Sequence, residues 1–300
     1  MPLNLWDKIS VPHKIKKQNF GSPLTVIGIN IDANLVTLSL PDNSKQRMID
    51  ELKWWSERGK KEKIKCWYRM GGWINWGLNV YLVLRPALNN FYPQLKGQHD
   101  SSSQIWVNNN IHNDFKWAIQ IILCSSGVHL LKSLAWSMNK ATTTLLCDAC
   151  PSSMGFWNPV TNQAFISPTP HNINPNIIFY FKALCVLSVL GYAHHYSLTG
   201  KERIIIYTDN LNTVNIFNTF QALPTYNHLL EATVNILLEG DHNLHVLHIL
   251  GNENIIANAL SQSNFSTALS IIPQFKIFSL EPWDCVKQAM PNTRSHEEVQ

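Results

Sequence analysis

The sequence predicts an α/β protein: a mixed sheet flanked by helices, preceded by a mainly helical module that carries a β-hairpin. Two runs of β-forming residues predict the sheet. One leads from Thr142 through Leu145 and Leu146 to Asp148, the other from Glu202 through Ile204, Ile205 and Ile206 to Asp209. Such continuous runs mark strands covered on both faces, as in a parallel pair. A long apolar stretch, 176–196, lies between them with the length of a helix. Two strands joined through a helix bring Asp148 and Asp209 to the same edge of one sheet, where ligands of open α/β sheets sit. A pair of carboxylates there is the minimum equipment for holding Mg²⁺. Core strands ending in a solvated Asp are the alternative reading of each run alone.

A length of 300 residues suggests two domains. The polar residues 137–141 read as a linker, which gives a module over 1–139, an α/β domain over 140–265 and an extension over 266–300 ending in a polar tail from Pro291. Residues 1–24, with Lys14, Lys16 and Lys17, read as a basic arm. Thr25 to Pro41 reads as a hairpin turning at Asp32-Ala33-Asn34. A helix follows Pro41-Asp42-Asn43-Ser44, with Met48, Leu52 and Trp55 on one face. Gly59 interrupts it, and a second helix runs through Trp67 to Arg69. An apolar helix stopped before Pro86, a short helix near Pro93, a polar loop at 97–104 and an amphipathic helix over Ile105–Leu123 come next. Gly127–Trp136 is hairpin-like.

The first module holds the basic segment. Between Lys45 and Arg69, nine Lys and Arg stand against four acids, a net +5 that exceeds the +4 of the whole chain. Trp54, Trp55, Trp67, Tyr68, Trp73 and Trp76 are interleaved or follow directly. Basic side chains neutralise phosphates and aromatic faces stack on bases. Lys60, Lys61, Lys63, Lys65, Trp54, Trp55 and Trp67 are therefore candidate nucleic-acid contacts. A solvated helix face over a tryptophan core is the alternative.

In the second half, Gly155–Pro159 and Ala164–Ser167 read as short strands of a meander after the strand bearing Asp148. The long helix precedes the strand bearing Asp209. Helices over 211–220 and 226–238, a strand over 244–250 and a helix over 253–261 complete the order β-β-β-α-β-α-α-β-α. The 176–196 stretch is barely long enough to span a membrane, and Lys182 near its middle opposes that reading. The partners expected are therefore nucleic acids and no membrane.

With 45% hydrophobic and 15% charged residues the chain is globular. The opening MPLNLWDKIS lacks the apolar run of a signal peptide, and six cysteines then read as reduced thiols of a nuclear or cytoplasmic protein. Cys147 and Cys150 form a CxxC with no second pair at zinc spacing. His194 and His195, adjacent on a helix, face different directions. Ser152, Ser153 and Ser261 stand in no nucleophile arrangement, no phosphate-cradling glycine loop occurs, and Asn210 reads as a helix cap.

A strand with CDA, a helix with FYFKAL, a strand with YTDN and the closing HILGNENIIANALSQ together resemble the ribonuclease H domain of retroelement reverse transcriptases. That closing segment in the family reads like H-x-P-G-x-x-N-x-x-A-D-A-L-S-R. The likeness covers about 140–263. GSPLTVIGINID and WINW…RPALNNFYPQL are similar to the thumb and connection region of the same polyproteins, especially fungal elements of the tyrosine-recombinase type. No Y-x-D-D polymerase pair is present, so the chain resembles the C-terminal part of a longer ancestor.

The resemblance implies a ribonuclease H-like fold acting on RNA–DNA hybrids. Four carboxylates of that family hold two Mg²⁺ about 4 Å apart, activating water and stabilising the leaving oxygen. Asp148 matches the carboxylate that bridges both metals, and Asp209 the one on the fourth strand. The helix position, usually Glu, is Lys182, and the last position, usually Asp, is Asn258. A site of roughly four negative charges becomes one of about −1, with an ammonium able to take the cation's place. Glu253, the spare acid of the last segment, sits more than a turn before Asn258. The expectation is that Mg²⁺ or Mn²⁺ affinity and hydrolysis are lost or nearly so. Non-catalytic nucleic-acid binding and weak residual cleavage using Asp148 and Asp209 are the alternatives.

Overall fold

The computed structural model describes residue 8 and residues 21–57, 59–98, 100, 102–124, 128–130, 136–170, 178–197 and 200–280. Most of the expected basic arm and the polar tail from Pro291 lie outside them.

Strands β1 (Leu24–Val26), β2 (Ile29–Asp32) and β3 (Thr37–Ser39) form an antiparallel meander. The stretch read as one hairpin thus turns twice. Gly28, at φ +79°, makes the extra turn. The Asp32 carboxylate closes the second by accepting from Asn34 and Leu35 N–H. Helix α1 (Asp42–Trp55) starts where the Pro-Asp-Asn-Ser sequence places it and buries Met48, Ile49, Leu52 and Trp55. Strand β4 (Lys61–Lys63) precedes α2 (Ile64–Gly77), so the helix expected from Gly59 onward begins later than the sequence suggests. After a 3₁₀ segment (Leu82–Leu88) containing Pro86 comes α3 (Phe91–Leu95). Strand β5 (Gln104–Trp106) pairs antiparallel with β4, and helix α4 (Asn109–Cys124) follows it. Residues 104–106 had the appearance of a loop running into a helix. Their pairing across β4 sets Ile105 opposite Glu62, with Ile105 buried. Strand β6 (Val128–Leu130) adds to β3.

These helices enclose one core, in which Trp55, Trp67, Phe91 and Phe115 pack ring to ring with centroids 5.0, 5.1 and 6.0 Å apart. Each buried ring removes enough apolar surface to contribute on the order of 2–3 kcal/mol.

The second half is a six-stranded mixed sheet built from β7 (Thr143–Ala149), β8 (Ser153–Asn158), β9 (Gln163–Pro168), β10 (Arg203–Thr208), β11 (Asn243–His248) and β12 (Lys276–Ser279), in the order β11-β10-β7-β8-β9-β12. Strands β7, β10 and β11 are parallel, and β8 is antiparallel to both neighbours. This is the mixed sheet flanked by helices that the sequence predicts. Helix α5 (Ile178–His195) packs on one face with Leu145, Cys147, Phe156 and Ile206 beneath it. Helices α6 (Leu211–Thr219) and α7 (Asn227–Glu239) complete that side. Helix α8 (Ile255–Ser261) covers the other face, where Ala164 meets Ile256 and Leu260. By length and composition α5 could cross a membrane, but 67% of it is buried against protein. Helix α9 (Phe265–Ile271) and β12 lie almost wholly within the extension over 266–300, for which the sequence reading names no element. Ala268 and Phe275 anchor them on the α8 face, and β12 runs parallel to β9.

The two halves meet along α7, whose Val234 enters the N-terminal core. Asn89 Nδ2 donates to Asn227 Oδ1 at 2.8 Å, and Trp117 Nε1 to Asn235 Oδ1 at 3.0 Å. Asn90 and Asn227 donate to the two oxygens of Asp114 at 2.8 and 3.2 Å, and Asn227 also donates to Glu231 Oε1 at 3.1 Å. Burial pushes Asp114 up to about 7; burial and the neighbouring Asp114 charge push Glu231 up to about 8. One proton is therefore shared between them at neutral pH. Both folded values lie above the unfolded ones, so the stability this pair contributes is fully present below about pH 4 and is lost as pH rises through about 7 to 8. Glu231→Gln keeps an acceptor for Asn227 and a donor for Asp114 without a titrating proton. It is expected to raise stability at pH 8.5 by roughly 1–3 kcal/mol and to flatten the fall in stability between about pH 4 and 8, as read from urea midpoints.

Candidate functional site

The register of β7 and β10 sets the site. Tyr207 stands opposite Leu146, so two residues further along, where both strands end, Asp209 comes level with Asp148. The continuous apolar runs that make these strands buried also deliver both carboxylates to one sheet edge. Lys182, in the first turns of α5, reaches over that edge. Its Nζ lies 2.7 Å from Asp148 Oδ1 and 2.5 Å from Asp209 Oδ1. The Lys182 side chain is 14% exposed, that of Asp148 6% and that of Asp209 27%. Burial alone would lower the Lys182 pKa, but the hydrogen bonds and charges of Asp148 and Asp209 outweigh it and the net shift is upward. The ammonium is therefore permanently charged at neutral pH.

The second oxygen of Asp148 is also taken. Ser261, at the end of α8, donates from Oγ to Asp148 Oδ2 at 2.6 Å. Helix α8 reaches Asp148 because Gly155 on β8 leaves room. A Cβ there would stand 2.6 Å from Leu260 Cβ and 2.8 Å from the Ser261 backbone nitrogen. Asn254 ties the start of the same helix to β7 by donating to the Cys147 carbonyl at 3.0 Å. On the Asp209 side, His248 Nε2 lies 3.2 Å from the Asp209 carbonyl oxygen. Asn210 accepts from Thr213 N–H at 2.8 Å, the helix cap expected of it.

The structure thus brings together Asp148, Asp209 and Lys182. It adds Ser261, which stands in no nucleophile arrangement and serves as a hydrogen-bond donor to a carboxylate. The Asn258 carboxamide oxygen accepts from Gln262 Nε2 at 2.7 Å. Among the described residues no group of three or more His, Cys, Asp or Glu stands ready to hold a metal ion. The donor set does not fit a divalent cation: two carboxylates remain, each bonded by the same ammonium, which would repel Mg²⁺ at contact distance. Local charge at the edge is two carboxylates against one ammonium.

The basic segment divides on inspection. Trp55 and Trp67, expected as stacking surfaces, are 2% and 0% exposed and belong to the core; burial of apolar area outweighs any contact they could offer a ligand. Trp54 is 40% exposed, with Lys60 Nζ 3.8 Å above its ring. Lys60 also pairs with Glu57 at 2.8 Å. Lys61 and Lys63 point out from β4 and Lys65 from the start of α2, all exposed. Trp106, across from Lys61 on β5, is 56% exposed with the Lys61 ammonium 5.5 Å from its ring centre. Sequence reasoning missed Trp106, because a three-residue strand leaves almost no periodic signal. His194 and His195 diverge as expected: His194 Nδ1 lies 2.9 Å from His242 Nε2, and His195 stacks edge-on with Tyr196.

No protein-family model and no curated protein matches the chain. Among solved structures it is similar to the foamy viral protease-reverse transcriptase in complex with RNA/DNA hybrid, at 11% identity and a TM-score of 0.26, over 75% of this chain and 29% of that one. It is similar to the same protein in complex with dsDNA at 11% identity and a TM-score of 0.29, over 89% of this chain and 46% of that one. The native Prototype Foamy Virus Protease-Reverse Transcriptase gives 10% identity and 0.25, over 54% and 21%. The chain therefore spans less than half the length of each structure it matches. At these values the likeness bears on no residue's role.

Proposed function

We propose that the chain is a ribonuclease H-like module of retroelement reverse-transcriptase descent that binds RNA–DNA hybrid or duplex nucleic acid without cutting it. One observation carries the reading: the Lys182 ammonium sits between Asp148 and Asp209 at 2.7 and 2.5 Å, the place a cation takes in the centre that the sequence resembles. The strand order, the CDA, YTDN and GNENIIANALSQ segments and the exposed Lys61, Lys63 and Lys65 support it. On this reading the centre needs neither Mg²⁺ nor Mn²⁺, because its charge is balanced from within. The fungal, tyrosine-recombinase ancestry belongs to the same proposal and rests on the sequence segments alone. Grip on nucleic acid then comes from the β4–β5 surface, where Lys ammonium groups and the Trp54 and Trp106 rings are presented together.

Affinity for a labelled RNA–DNA hybrid, measured from about 50 to 200 mM salt, tests this. Each neutralised phosphate adds about −0.9 to the slope of log K against log salt for a duplex. Replacing Lys60, Lys61, Lys63 and Lys65 together by Gln is expected to weaken binding for all sequences alike and to make the slope shallower by roughly 2–4. A native slope near zero, or no binding at low salt, refutes the phosphate-contact reading.

A further inference from the structure

We infer that the N-terminal half carries a second, separate ligand site: a cleft between α1 and α2 that takes a nucleobase together with its phosphate. The cleft has a volume of about 460 Å³, within the range of small-ligand sites. Arg47 and Glu51, one turn apart on α1, face Arg69, Trp73 and Trp76, at positions i, i+4 and i+7 of α2, with buried Trp55 also lining the cleft. The Arg47 guanidinium lies 5.7 Å from the centre of the Trp73 ring. Trp76 is held in place by donating from Nε1 to the Ile27 carbonyl at 3.1 Å. Among the described residues neither Arg47 nor Arg69 makes an ion pair, and both are exposed.

Two unpaired guanidinium groups beside half-buried indoles form an odd surface for a site of purely structural use. Apolar packing explains tryptophans but not arginines; a solvated charged face explains arginines but not the ring-lined cleft. A ligand with an aromatic plane and an anionic group satisfies both. Indole faces stack a base, and guanidinium forks hold phosphate oxygens. Glu51 adds selectivity, since a carboxylate accepts from amino edges of guanine or cytosine. Uracil and thymine present one N–H between two carbonyls, which such a carboxylate repels. The base and phosphate belong either to a free nucleotide or to an unpaired residue of a nucleic-acid strand. This site stands apart from the Lys182 centre and from the β4 lysines, and holds whether or not those lysines grip a hybrid.

Titration calorimetry of the full chain tests it with guanosine 5′-monophosphate, uridine 5′-monophosphate, ribose 5-phosphate, and a short single-stranded oligonucleotide with and without a 5′-phosphate. Guanosine 5′-monophosphate is expected to bind, uridine 5′-monophosphate about 5-fold more weakly, and ribose 5-phosphate at least about 10-fold more weakly, the scale of one lost base stack. The double variant Arg47→Gln, Arg69→Gln alters two exposed side chains, leaves the melting temperature in place, and is expected to cost at least about 10-fold. Trp73→Phe is expected to retain most binding and Trp73→Leu to lose it. Binding of the oligonucleotide alone, lost in the arginine double variant, assigns the site to a strand's unpaired base and supports the inference. No binding of any nucleotide or oligonucleotide at millimolar concentration, or binding unchanged in the double variant, overturns it. Neither result alters the hybrid salt slope, which reads the β4 lysines.

Discussion

Lys182→Met is expected to destabilise the folded chain by about 3 kcal/mol, the lower end of the cost of orphaning buried charges. Methionine keeps an unbranched apolar stem of similar length, so the loss comes from charge and not from a cavity. It leaves Asp148, with 6% of its side chain exposed, beside Asp209 without a counter-charge. The lower end applies because Asp209 is 27% exposed and water screens part of the repulsion. Two controls separate this from a packing defect. Adding Asp148→Asn and Asp209→Asn to Lys182→Met removes the orphaned charges and is expected to recover most of the loss. Because the Lys182 pKa is raised, its contribution is present below the unfolded value of 10.5 and is lost only as pH climbs through the higher folded value. The gap between native chain and Lys182→Met should therefore stay constant from about pH 7 to 9. Urea unfolding at several pH values checks all three expectations.

The second large effect is on hydrolysis. The native chain is expected to cut the RNA strand of a labelled RNA–DNA hybrid no faster than its Asp148→Asn variant, in Mg²⁺ or Mn²⁺. The double substitution Lys182→Glu, Asn258→Asp removes the ammonium and introduces two acids. On the proposed reading it is expected to raise the Mg²⁺-dependent rate by roughly 100-fold or more, the several kcal/mol that a bound metal contributes. Asn258→Asp alone leaves the ammonium between Asp148 and Asp209 and is expected to gain nothing. If that single variant cuts as well as the double one, the blocking role assigned to Lys182 is wrong. A native chain that cuts comparably, and stops on Asp148→Asn, would show that two carboxylates suffice.

Much of this arrangement was legible in the sequence because it is written in continuous signals. The Leu and Ile runs before Asp148 and Asp209 fix two strands, and the long apolar helix between them fixes their parallel crossover, so the shared edge follows. Lys182 by itself is only a charge within an apolar helix; its place at that edge follows from the likeness of FYFKAL to a ribonuclease H helix. Short elements were not legible. Strands β4, β5 and β12 are three or four residues long, too short for alternation to register, and their neighbours in the sheet decide them. Trp55 falls on the Met48 and Leu52 face of α1, so its burial was legible from helical spacing, whereas the burial of Trp67 shows only in the packing of α2 against Phe91 of α3. Asp114 left one trace. It lies on the buried stripe of α4 with Ile111, Phe115, Ala118 and Ile122, and a carboxylate on such a stripe demands a partner. That partner, Glu231, is distant in sequence and came only with the fold.

If the Lys182 ammonium holds a cation's place, no site is left for Mg²⁺. Calorimetric titration of the native chain with Mg²⁺, beside Lys182→Glu, Asn258→Asp, tests it most directly. No saturable heat is expected for the native chain at millimolar Mg²⁺, and a saturable isotherm for the double variant, lost again on Asp148→Asn. Saturable Mg²⁺ binding to the native chain that disappears on Asp148→Asn would contradict it.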